Sequence, residues 1–245
     1  MQSMYTRRTF VTLAAGVAAL GLGAGMAWQR GWGATLWNPL LLRVTGRRTV
    51  EEVMDSMSNA AFGRLQPALV AAGFGEALPP KLRFVALKEE RLLELWGERN
   101  GFWQFIKTYP VFAASGTEGP KLQEGDRQVP EGHYRITHLN PNSAFHLSLG
   151  IDYPNPADRE QAIIDGRQQL GGDIMVHGKA VSVGCLAIGD EAIEEIFALV
   201  ARVGTANSDI LIAPYDLRVR HGRDDRSWVT DRYAELTETL QNMAP

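Results

Sequence analysis

Met175-Val176-His177-Gly178-Lys179-Ala180-Val181-Ser182-Val183-Gly184-Cys185 holds the only cysteine of the chain, a short step after a histidine. The run before it, Asp173-Ile174-Met175-Val176, reads as a buried strand that delivers His177 at its end. A thiol is a weak nucleophile until a base takes its proton or a nearby positive charge lowers its pKa. The spacing lets the chain fold back so that His177 faces Cys185. Gly178 and Gly184 remove side chains beside both groups, which permits a tight backbone and close approach of a substrate. A blander reading competes: a lone cysteine is most often a small buried apolar residue, and a lone histidine a satisfied polar one. Spacing alone does not separate the two.

Export tips the balance. Tyr5-Thr6-Arg7-Arg8-Thr9-Phe10 sets two arginines ahead of an apolar run from Val11 to Ala27. A basic start, an apolar middle and small residues at Gly25-Met26-Ala27 make a secretory signal, and the paired arginines point to the twin-arginine route. The alternative is an uncleaved N-terminal membrane anchor, although the run is rich in Ala and Gly and poor in Leu. Both readings put the folded part in the periplasm or cell envelope. Structural cysteines in an oxidising compartment come in pairs, so a single one is a free thiol that asks for a role.

Val176-His177-Gly178 followed by Ser182-Val183-Gly184-Cys185 resembles the active-site signature of the YkuD-type L,D-transpeptidases, and most of all their YafK-like branch, which shares the short His-to-Cys spacing. The resemblance continues through Leu186-Ala187-Ile188 and Ile193-Glu194-Glu195-Ile196-Phe197. Upstream, Val129-Pro130-Glu131-Gly132-His133-Tyr134 resembles the Pro-x-Gly-x-Tyr element of the family, and Tyr153-Pro154-Asn155-Pro156 with Asp158-Arg159 also looks like that branch. In total it covers roughly Leu82 to Arg218. There is one departure: most members have Ser/Thr-His-Gly-Cys, whereas here Val183 replaces the histidine. His177 alone must then supply the base.

The chemistry runs as follows. His177 accepts the proton of Cys185, or the two rest as an ion pair. The thiolate attacks a peptide carbonyl, and the backbone N–H groups of Val183, Gly184 and Cys185 are the natural donors to the oxyanion. An amine leaves, and a second nucleophile resolves the thioester. Ser182 is expected to close the turn by bonding to backbone. No metal or organic cofactor is needed. The resemblance implies a peptidoglycan stem peptide as substrate, attacked at the L-centre carbonyl of diaminopimelate with release of D-alanine. The acceptor is then an amine of a second stem, water, or a lysine of an envelope protein; cleavage of such an attachment is a further variant. It also implies acylation of the cysteine by carbapenems. Tyr134, Asp158 and Arg159 are candidates for substrate contact, with an exposed ion pair as the plainer reading of the last two. Two other functions compete with acyl transfer: a catalytically silent wall-binding module with Cys185 buried, and a redox-sensing thiol.

Composition fits a single sizeable core behind a signal: 245 residues, 45% hydrophobic and 22% charged, with net charge -3. No basic excess points to nucleic acid, no second cysteine permits a zinc-thiolate cluster, and no His-Glu-x-x-His stretch occurs. The expected fold class is α+β and mostly β, a strand meander or sandwich of L,D-transpeptidase type with flanking helices. Residues 1–27 are the signal or anchor, 28–80 a linker and N-terminal helix, 81–218 the catalytic domain, and 219–245 a C-terminal loop and helix. Trp28, Trp32, Trp37 and Arg47-Arg48 mark either a membrane interface or a linker packed on the domain.

Periodicity predicts a helix from Thr49 to Gly73, broken or kinked at Pro67, and one from Ser227 to Met243. It predicts a helix from Glu191 to Val203 capped by Asp190 and stopped by Gly204. Strands are expected at 82–87, 91–96, 102–109, 134–137, 144–149 and 209–213. Tyr153 to Gly172 reads as a long irregular flap over the cleft. His146 is expected on a sheet face, His133 simply exposed.

Overall fold

A computed structural model describes residues 33–75 and 77–243. The export segment, Trp28 and Trp32 lie outside the described residues. Among the described residues, nine strands form one sheet in the order β3-β2-β1-β9-β5-β6-β7-β8-β4, and five helices flank it, giving a mixed α+β fold. The strands are β1 (Leu82–Leu87), β2 (Leu92–Arg99), β3 (Phe102–Pro110), β4 (Ala113–Ala114), β5 (Gly132–Asn140), β6 (Ser148–Ile151), β7 (Met175–His177), β8 (Leu186–Ala187) and β9 (Ser208–Ala213). The helices are α1 (Ala34–Thr45), α2 (Val50–Ala71), α3 (Pro156–Ile164), α4 (Asp190–Val203) and α5 (Ser227–Gln241).

The first three strands are an antiparallel meander, as Asn100-Gly101 at the β2–β3 turn requires; both residues take positive φ there. The sequence-distant β9 then pairs parallel to β1 and antiparallel to β5. β9 is therefore central, and its Ile210, Leu211 and Ile212 are fully buried.

Helices cover both faces. On one side α2 and α4 share a core with β1, β2, β6 and β7 that includes Val53, Leu65, Leu69, Ile193, Ile196, Phe197 and Val200. Burying each large aliphatic of α2 contributes about 1.5–3 kcal/mol. On the other side, Val229, Tyr233, Leu236 and Leu240 of α5 pack with Val85, Leu87, Leu211 and Ala213. Glu195 of α4 is buried and ties three elements together: it accepts from Arg64 of α2 at 3.2 Å, Lys107 of β3 at 2.7 Å and the Tyr109 hydroxyl at 3.0 Å.

Several elements depart from expectation. Thr49 caps α2 through a reciprocal box with Glu52, but Pro67 does not break the helix. Gly63 and Pro67 both lie on the exposed face, where water satisfies the Gly63 carbonyl that loses its amide partner. Residues 34–45 are helical rather than linker. They lean on the turn after β5 through a bond from the Asn38 amide to Asn142 O at 3.0 Å. The expected flap is half helix: Asn155 and Asp158 form a capping box at the start of α3. The strand expected at 144–149 begins only at Ser148, because the chain turns through His146 at φ 76°. Asp190 does not cap α4; Gly189 stands at the cap, and Asp190 bonds Lys179 instead.

Candidate active site

β7 and β8 lie side by side and parallel, with Val176 opposite Leu186 and His177 opposite Ala187. Side chains alternate across a strand. Val176 and Leu186 enter the core, so His177 turns to the opposite face, and Cys185 stands at the bend directly before β8.

His177 is 2% exposed. Its Nδ1 lies 2.6 Å from Gly178 O. A carbonyl only accepts, so Nδ1 carries a proton, and the neutral ring presents its lone pair at Nε2. The Phe145 ring stacks on the imidazole, centroids 4.6 Å apart at 28°. Burial holds the His177 pKa below the ordinary imidazole value, against the bond to Gly178, which favours the charged form. This is a histidine kept neutral, in the form a base requires.

Cys185 is partly open to solvent and its thiol is free. The Sγ donates to Asp173 O at 3.7 Å. Protein packed round the sulfur raises its pKa and the Asp173 charge adds to this; a backbone bond from Met175 and the charge of Lys121 oppose it. A thiolate would face the Asp173 carbonyl oxygen without a proton between them. Both groups therefore rest neutral, a thiol and an imidazole rather than an ion pair.

The amides around the nucleophile are engaged. The Cys185 N–H donates to Ser182 Oγ at 2.9 Å, and that hydroxyl donates to Cys185 O at 2.6 Å, closing a local turn. The Gly184 N–H donates to Ser115 Oγ at 2.5 Å. Of the three expected oxyanion donors, Gly184 and Cys185 are thus occupied at rest and Val183 has no partner among the described residues.

Gly178 is required for steric reasons. A Cβ there would stand 2.7 Å from both Asp190 Oδ1 and Phe145 O. Asp190 is fixed by the Lys179 amide at 2.8 Å and ammonium at 2.6 Å. Gly178→Ala is expected to cost about 1–3 kcal/mol, a Tm drop of roughly 3–10 °C, and to displace His177. Thermal melts beside acylation rates of Cys185 test this; an unchanged melt with full activity would refute it.

A groove of about 590 Å³ opens along the Lys179–Gly189 edge, lined by Lys107, Tyr109, Phe112, Ile188 and Asp190 among others. Neither His177 nor Cys185 lines it; its link to them is through Ile188, whose N–H donates to His177 O at 2.9 Å.

Comparison with known proteins matches residues 81–212 to the YkuD L,D-transpeptidase catalytic domain, more than half of the chain. The chain belongs to the YkuD L,D-transpeptidase family. The Escherichia coli K12 protein named "Putative L,D-transpeptidase YafK" is 36% identical over 163 residues, 64% of this chain and 61% of that protein. Its O157:H7 counterpart matches equally. The chain thus aligns with less than two thirds of the length of these relatives. Among solved structures, Pgp2 of Campylobacter jejuni aligns at 19% identity and TM-score 0.47 over 64% of this chain and 54% of that one. Bd1075 of Bdellovibrio bacteriovorus aligns at 20% and 0.42 over 66% and 56%.

The substrate-contact candidates upstream do not join this YkuD site. Tyr134 is fully buried, its hydroxyl donating to Glu131 O at 3.2 Å and to Asp158 Oδ1 at 3.4 Å. Asp158 is buried, caps α3 and pairs with Arg232 at 3.0 Å. These two hold β5, α3 and α5 together. Arg159 is exposed on α3 with no partner among the described residues. His146 sits on the turn before β6 and bonds Glu194 at 2.9 Å rather than lining a sheet face. His133 is exposed, with Nε2 3.0 Å from Asp209. Sequence reasoning missed Phe145 and Ser115. Phe145 carried no signal beyond an apolar pattern, which read as strand. Ser115 lay in a Gly- and Pro-rich stretch that shows no pattern.

Proposed function

We propose that the protein is a cysteine acyltransferase of the bacterial envelope that acts on peptidoglycan stem peptides through a thioester on Cys185. The observation that carries this reading is the tautomer of His177: Nδ1 tied to Gly178 O leaves Nε2 as the acceptor, on the strand that pairs with the one directly following the only cysteine. His177 Nε2 takes the Sγ proton as sulfur attacks the carbonyl of the stem peptide. The tetrahedral adduct collapses, the C–N bond breaks, and the proton passes to the leaving amine, D-alanine. An acceptor amine then gives its proton to His177, forms the new amide and returns the thiol. Water as acceptor makes the same site a hydrolase, and an envelope-protein lysine makes it an attachment or release enzyme. Membership of the YkuD family and the partly exposed thiol favour the enzyme over a silent wall-binding module or a redox sensor. Export by the twin-arginine signal to the periplasm, with the N-terminus at the membrane, belongs to this reading.

Incubating the protein with a tetrapeptide stem ending in D-alanine tests it. The expected result is an intact-mass increase equal to the tripeptide acyl group, with release of D-alanine. Adding an amine acceptor then gives a cross-linked product or, for a hydrolase, only free tripeptide. No adduct and no released D-alanine would sink the proposal.

A further inference from the structure

The two hydroxyls on the nucleophile's amides differ in origin. Ser182 is three residues from Cys185 and belongs to its own turn. Ser115 arrives from 69 residues upstream of Gly184, and its hydroxyl also donates to Arg127 O at 2.7 Å. The β4–β8 pairing, with Ala114 opposite Leu186, brings it there. We propose that Ser115 Oγ is a built-in placeholder for the carbonyl oxygen of the acyl donor, which vacates the Gly184 amide as the oxyanion forms. The inference rests on the thioester reading above and adds a gating residue to it.

Three observations support a movable placeholder. Ser115 follows β4, a two-residue strand at the sheet edge that pairs with β8 alone. So short an edge opens at little cost. Residues 116–118 are exposed and held mainly by Gln128, whose side chain accepts from the Thr117 N–H at 3.0 Å and donates to the Thr117 hydroxyl at 3.1 Å. Behind them lies a cavity of about 220 Å³, lined by Lys88, Ala114, Ser115, Thr117 and Pro214, which gives the segment somewhere to go. Firm anchors resume directly afterwards: the Gly119 N–H donates to Glu131 at 3.1 Å, and Lys121 pairs with Asp126 at 2.6 Å. The movement is thus confined to four residues.

The energetic logic favours the transition state. A neutral hydroxyl competes evenly with a neutral substrate carbonyl for one N–H. It loses to an oxyanion, because a hydrogen bond to charge is roughly twice as strong. The placeholder therefore keeps the donor oriented and dry until charge develops.

Ser115→Ala is the test, read as the second-order rate of Cys185 acylation by a carbapenem and by the stem tetrapeptide. With the competitor gone, both rates are expected to rise about three- to tenfold, the worth of one ordinary hydrogen bond. Ser115→Thr keeps the hydroxyl and the wild-type rate. In the wild type, the Gly184 amide proton resonance should move on acylation; in Ser115→Ala it should already differ in the free protein. A slower or unchanged Ser115→Ala, in a protein whose wild type acylates, overturns the placeholder and leaves the acyltransfer reading standing. A wild type that takes no acyl group from either compound removes both.

Discussion

Replacing Cys185 with alanine is expected to abolish covalent labelling by a carbapenem or a stem peptide and to lower turnover by roughly a thousandfold or more. The loss should come with little change in melting temperature. The residue is partly exposed, its thiol makes one weak bond to Asp173 O, and Ser182 holds the turn through the backbone, which alanine retains. Intact mass and a thermal melt on the same sample decide it. An adduct that persists in the variant would place the acyl group on another side chain. A large fall in stability would turn the cysteine into a packing residue.

His177→Gln is expected to reduce the acylation rate by about 10²–10⁴, the usual contribution of a general base. The pH profile discriminates base from ion pair. His177 has its pKa held below the ordinary imidazole range, so its basic form persists as pH falls through that range, and wild-type acylation is lost only below it. The thiol is pushed above its ordinary value, so free thiolate appears only on the alkaline side. Alkylation by iodoacetamide, which needs thiolate alone, should therefore be slow at neutral pH and climb steeply above the ordinary thiol range. Acylation of wild type should not wait for that climb; acylation of His177→Gln should follow it. Rapid alkylation of wild type at mildly acidic pH would mean a standing ion pair and would overturn the neutral resting state.

Much of the sheet was legible because its cues are local. The Asn100-Gly101 turn fixed the β2–β3 hairpin, and the apolar Ile210-Leu211-Ile212 announced a strand. The candidate thiol and histidine were legible for a chemical reason: one thiol, one histidine and two glycines in eleven residues leave few alternatives. What stayed hidden depends on partners far along the chain. Asp158 looked like a surface acid until Arg232, 74 residues on, was brought to it. His146 read as a strand residue because its neighbours alternate, yet Glu194 of α4 holds it in a left-handed turn. Ser115 needed Gly184 to be placed before its hydroxyl had any meaning.

Glu195 has an implication for how the protein can be shortened. The stretch shared with its kin starts at residue 81, but the carboxylate is held by Arg64 as well as by Lys107 and Tyr109. A fragment cut at that point would bare the oily flank of α4 and strand a charge that had been neutralised from outside. Likewise Tyr233 reaches back from beyond the shared stretch to the sealed carboxylate of Glu131 at 2.6 Å. The smallest self-sufficient piece of this chain is accordingly wider at both ends than its ancestry alone suggests.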